Sequence, residues 1–449
     1  YNVAIGTGSL MNLDGSGDMW NTAIGTNSGL SLTNGTLNVL IGGRAGDALT
    51  TGSNNVAIGF DALGAEDEHG GNVAVGYRAL KVQNAGTTAY NVAIGRDAGL
   101  SVSTGELNVL IGAFAGDALT TGGQNVAVGY EALSSEDAGY FNTAVGFRAL
   151  KIQDAGNAYN TAVGYQAAYN CTTGAANVML GDYAGHGLTT ASRCVFIGNT
   201  AGYSGSTTGD KNTAVGDNSC RELTSGSQNT AMGSESLFVV TTGNNNVAIG
   251  KGAGRALTTG GQNVFIGESA GLDVTTGSNN VLLGQDTGRG APSGQITTGS
   301  NNVVLGNSSI ANLYCNDTSI SSSDARDKTD VIDFTHGLSW IKELRPVTYR
   351  WDKRVWYGDE ETYYGTPDGS KKRDRINIGF LAQEFIEVEK KFGYGDSKDN
   401  MLIANQDEDE ADPSYGMKYE RLVPVLVNAV KELSAENTAL KSRLDAAGL

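Results

Sequence analysis

The chain has 449 residues, with 31 Lys+Arg against 48 Asp+Glu and a net charge of −17. That charge argues against a general nucleic-acid binder, which needs a basic face, and no apolar run approaches a membrane span. Composition divides the chain: residues 1–306 hold 12 Lys+Arg and 22 Asp+Glu, and the last 143 hold the other 19 and 26, with four of the five prolines and three of the four tryptophans.

From Asn2 onward a pentapeptide, Asn-(Val/Thr)-x-(Ile/Val/Leu/Met)-Gly, recurs to Asn302. Seventeen copies open on asparagine and Cys194 opens an eighteenth; most steps are 17 residues, the others 18, 19 or 22. A fixed short period means stacked units. In the unit from Asn38, the opening residues are the β-branched and aliphatic types a strand prefers. Val39 and Ile41 fall on one face and Leu40 on the other. The third residue is apolar in most copies (Ala57, Leu110, Phe265, Leu282), so both faces read as buried. Gly42 marks a bend or a close backbone approach. A second short run, Ala45 to Leu49, precedes Thr50-Thr51-Gly52, read as a turn whose glycine takes positive φ.

Such a unit suits one coil of a β-solenoid with two short strands and two turns. Strand spacing gives roughly 4.8 Å of rise per coil, so eighteen coils reach about 85 Å. The opening asparagines are expected to form a ladder, their amides bonded along the axis. A coil this thin leaves one apolar face wet, and the simplest remedy is a homotrimer. The copies at Asn21, Asn91 and Asn160 also repeat at 70 and 69 residues, the mark of a longer duplication.

Two acidic inserts interrupt the pattern, at 65–69 and at 134–140. Surface loops of repeat proteins carry binding, and solvated spacers are the bland alternative. Cys171, Cys194, Cys220 and Cys315 are isolated and read as small buried residues. With only His69, His186 and His336, no His-rich zinc site is expected, and a Ser-His-Asp set on His336 is a minor reading. No metal or cofactor is implied. Tyr1 falls inside a repeat, so an attachment or targeting segment is expected ahead of it. The repeats, with their Asn-x-Val-Ala-Ile-Gly-like core, resemble the heads of trimeric autotransporter adhesins, whose unit is shorter.

Residues 307–322 form a polar, Ser-rich linker. Four ordered motifs follow: Ser323, Asp324, Arg326 and Lys328; Leu344, Pro346, Tyr349 and Trp351; Gly379 to Glu384; and Tyr419, Leu422 and Pro424. Residues 323–449 therefore resemble the intramolecular-chaperone, auto-processing domain of phage tail fibres, tail spikes and endosialidases. That resemblance implies one self-cleavage, between Ser322 and Ser323. Ser323 Oγ would attack the Ser322 carbonyl, Lys328 would take the hydroxyl proton as a neutral amine, and water would hydrolyse the ester. Asp324 and Arg326 would hold the local fold by pairing. Burial is what makes a lysine neutral, whereas Asp327, where the family has an apolar residue, favours the ammonium.

Near the end, Val423, Leu426, Val430, Leu433, Asn437, Leu440 and Leu444 are spaced 3, 4, 3, 4, 3, 4. That is an a/d seam with one polar a position to fix register, placing a coiled coil at about 419–446; core packing in a monomer is the alternative. The fold class expected is mainly β: a trimeric β-solenoid shaft over 1–306, then a small α+β chaperone domain ending in a long helix. The function expected is a virion tail fibre or spike, made in the host cytoplasm, that meets a host cell-surface receptor, carbohydrate included. Other virion tail proteins would join through the segment ahead of Tyr1. A polysaccharide-degrading spike, with paired carboxylates, and a cellular trimeric adhesin are the alternatives. No turnover enzyme is expected.

Overall fold

In the computed structural model, which describes residues 1–290, 294–310, 328–357, 365–397, 400–406 and 415–448, each pentapeptide folds into one three-residue strand. The strands run from β1 (Val3–Ile5) to β18 (Val303–Leu305). Each pairs in parallel with the strand of the next coil, forming one 18-stranded sheet. Register holds through the series: Val39, Leu40 and Ile41 lie opposite Val56, Ala57 and Ile58. The 17-residue coil sets this, because like residues return to the same place once per turn.

Chain contacts divide into two units: Tyr1–Arg289 with Ile296–Gly306, and Gly290–Gln295 with Asn307–Leu449. In the first, the middle residue of every strand from the second coil onward points inward and is buried. It packs against three further internal columns, one mostly alanine (Ala45, Ala62, Ala79, Ala115), one that carries Leu63 and Leu80, and one that carries Leu49 and Leu119, in a single continuous core. The outer strand face is different. Its flanking residues are part-exposed in most strands and reach 38–43 % at Ile94, Met232 and Ile266 in the single chain. The expectation that both faces are buried is thus corrected for one chain: only the inner face is.

A second correction concerns the second run. Ala45 to Leu49 forms turns, not a strand. The coil instead reverses through residues in the left-handed region, among them Arg44 (φ 56°), Gly46 (φ 55°) and Asn54 (φ 61°). Such a conformation costs about 1–2 kcal/mol for a side-chain-bearing residue. Stacking offsets it, because each N–H is spent on a neighbouring coil: Arg44 donates to the Thr26 carbonyl at 2.9 Å and Asn54 to Thr36 at 3.0 Å.

Glycine is confined by backbone approach. Gly59 has φ 136°, and a Cβ there would lie 2.2 Å from the Gly76 carbonyl oxygen. Gly52, expected at positive φ, does not adopt it; its place is fixed by the His69 carbonyl, 2.5 Å from where a Cβ would stand.

The asparagine ladder forms, with a different rung from the amide-to-amide one expected. The backbone N–H of Asn142 donates to Asn125 Oδ1 at 2.9 Å, and Asn125 Nδ2 donates to the Gly139 carbonyl at 2.7 Å. Amide-to-amide bonds join only some rungs, such as Asn246 to Asn229 at 3.0 Å. One buried side chain therefore satisfies a backbone donor and a backbone acceptor that the turns leave over.

In the second unit, α1 (Leu338–Glu343), β19 (Val347–Tyr349), β20 (Asn377–Gly379), α2 (Ala382–Lys391), β21 (Ala404–Gln406), β22 (Tyr415–Met417) and α3 (Leu422–Ala446) follow in order. β19 pairs antiparallel with β20, and β21 with β22. Among the described residues no helix is long and apolar enough to cross a membrane.

Candidate functional site

The C-terminal unit is built on Trp340, Phe385, Val388, Ile403 and Val425. These come from α1, α2, the residue just before β21 and α3, so the motifs serve a shared core. Trp340 stacks on Phe392 with ring centroids 5.2 Å apart. Leu344 and Leu422, one from the second motif and one from the fourth, pack at the edge of this core. Arg345 pairs with Glu384, its Nε donating to Oε2 at 3.0 Å. Tyr419 Oη accepts the backbone N–H of Phe380 at 3.1 Å. A Cβ on Gly379 would lie 2.5 Å from that hydroxyl, so glycine is needed there for close approach. The second, third and fourth motifs thus meet in space.

Sequence reasoning missed one organising residue. Glu389 is fully buried, and its Oε1 accepts the backbone N–H groups of Ile403 at 2.7 Å and Ala404 at 3.2 Å. It ties α2 to β21. Its only signal was a carboxylate on the apolar face of an amphipathic helix.

α3 has two faces. Val425 and Ala429 are buried against the unit. Asn428 donates to the Phe334 carbonyl and Glu432 Oε2 accepts the Leu338 N–H at 2.7 Å. The other face carries the predicted seam, and among the described residues of the single chain none covers it: Val423, Leu426, Val430, Leu433, Leu440 and Leu444 are 42–66 % exposed, and Asn437 is exposed among them. From Leu433 to the end of the helix every residue is exposed.

Of the first motif only Lys328 is described, and it is exposed in the single chain. Ser322, Ser323, Asp324, Arg326 and Asp327 lie outside the described residues. His336, weighed as a base, stands instead among rings, 5.4 Å from Phe334 and 5.1 Å from Phe392 by centroid. Cys171, Cys194 and Cys220 are buried free thiols. Burial pushes the first and last up to about 12 and Cys194 to about 11, so none is a ready nucleophile. Cys315 lies outside the described residues.

Residues 323–394 match the family model Peptidase_S74, described as chaperone of endosialidase. The match spans the first three motifs and stops before the fourth. No curated protein matches the chain.

Proposed function

We propose that the chain is a structural tail fibre or spike for host-surface recognition, whose C-terminal module gathers three copies and directs the folding of the repeats. One observation carries this: an apolar a/d seam lies uncovered on α3, in the same compact unit whose residues 323–394 match a chaperone of endosialidase. A helix end exposed on all sides is marginal alone in water, and knobs-into-holes packing against two copies would order it, with Asn437 setting register. The part-exposed apolar outer face of the solenoid supports the same reading, since two further copies would cover it. Pairing within one chain joins only adjacent coils, so the step that a module holding the chains together helps most is setting three chains in a common register.

Self-cleavage between Ser322 and Ser323 completes the reading, with Ser323 as nucleophile and Lys328 as base. Because Lys328 is exposed in one chain, the neutral amine required depends on cover that assembly supplies. Receptor contact is assigned to the outer surface of the repeats. The test is expression of residues 1–449 with light scattering and intact-mass analysis. The expected result is a particle of three 46.5 kDa chains, with a fragment starting at Ser323 that Ser323→Ala abolishes. A monomer sinks the assembly claim; an uncut trimer removes the cleavage and leaves the folding role.

A further inference from the structure

The insert at 65–69 folds inward instead of standing in solvent. Glu66 is fully buried. Its Oε1 accepts the backbone N–H of His69 at 3.0 Å, and its Oε2 has no hydrogen-bond partner. His69 Nδ1 is also buried without a partner. It lies 3.6 Å from Glu66 Oε1, beyond hydrogen-bond range. Asp67 adds a third donor, and the ligand atoms of Glu66, Asp67 and His69 all lie within 4.8 Å of one another. Two polar atoms without hydrogen-bond partners, on two side chains of one three-residue cluster, require an explanation in a folded protein.

We propose that Glu66, Asp67 and His69 form a divalent-cation site of the zinc class, with three protein donors and a fourth position open to solvent. Imidazole with carboxylate is a donor set suited to Zn2+. Tetrahedral bonds of about 2.0–2.1 Å place donors about 3.4 Å apart, close to the observed 3.6 Å between Glu66 and His69. The scaffold is already set: the Asp67 carbonyl accepts the Thr50 N–H at 2.7 Å, and the His69 carbonyl accepts Asn55 Nδ2 at 3.2 Å. Solvent reaches the site through His69, whose side chain is 25 % exposed.

The second insert serves as an internal control. Glu136 is equally buried with Oε1 unpartnered, but its neighbours are Asp137 and Asp154, with no imidazole. Gln153 Nε2 already donates to its Oε2 at 3.0 Å.

The test is equilibrium dialysis of the tag-free full chain against Zn2+, with Co2+ absorption as a second readout. The expected result is one zinc held per chain through His69, with visible Co2+ bands. Glu66→Gln and His69→Gln should each weaken binding about tenfold or more, and Glu136→Gln should not. His69→Gln, at a part-exposed position, keeps the test valid if Glu66→Gln fails to fold. Absence of stoichiometric zinc on the wild-type chain, or zinc and Co2+ bands unchanged by His69→Gln, overturns the site.

Discussion

Cys194 stands where every other coil has asparagine, and it weakens one rung. Its Sγ approaches the Gly209 carbonyl at 3.5 Å, and the Asn212 N–H is directed at sulfur instead of an amide oxygen. Sulfur is a weak acceptor. Cys194→Asn should therefore raise stability by about 1 kcal/mol, the net worth of a restored hydrogen bond, read as a higher thermal midpoint. Asp117 acts in the opposite sense. Burial, with repulsion from Glu131 and Asp97, raises its carboxyl from 3.8 to about 6. The folded chain then binds the proton more tightly than the unfolded chain does. Its contribution to stability is fully present below the unfolded value and is lost as pH rises through about 6. The thermal midpoint of the repeats should fall between pH 4 and pH 7 for this reason, and Asp117→Asn should flatten the slope. A slope unchanged in the variant would assign the effect to other carboxyls.

At the scale of elements, α3 separates what was legible from what was not. The 3, 4 spacing from Val423 to Leu444 picks out residues that lie exposed in the single chain, because a heptad is a local pattern. The docking face of Val425, Asn428, Ala429 and Glu432 was not named, since its partners lie more than ninety residues upstream (Leu338 N–H to Glu432 is 94 apart). In the coils, the strand was legible from Val39-Leu40-Ile41, and the reversal was not. Left-handed φ at Arg44, Asp61 and Leu63 has no local sequence signal, because it is imposed by hydrogen bonds to adjacent coils. The exposed seam predicts that Leu433→Asp, one charge at a d position, blocks assembly. Light scattering should then report smaller particles. If cover from assembly is what makes Lys328 a base, the same variant should stay uncut on intact-mass analysis; a cleaved monomer would break that link.

For the molecule as a whole, repetition predicts tolerance of change in whole units. Contacts in a solenoid are made with nearest neighbours, and stability is close to a sum over units and their interfaces. Removing residues 246–262 joins Asn245 to Asn263, each at the position its counterpart held. The ladder, the glycine column and the strand register all close again. The shortened chain should keep the circular-dichroism spectrum and the oligomeric state of the parent. Removing an even number of residues short of a full coil should abolish both, because the asparagine would no longer meet the N–H above it. The in-register stack described above thus makes the chain a ruler graded in coils. Each gain or loss of 17 residues moves whatever the outer surface displays by about one strand spacing, leaving the chemistry of every remaining rung untouched.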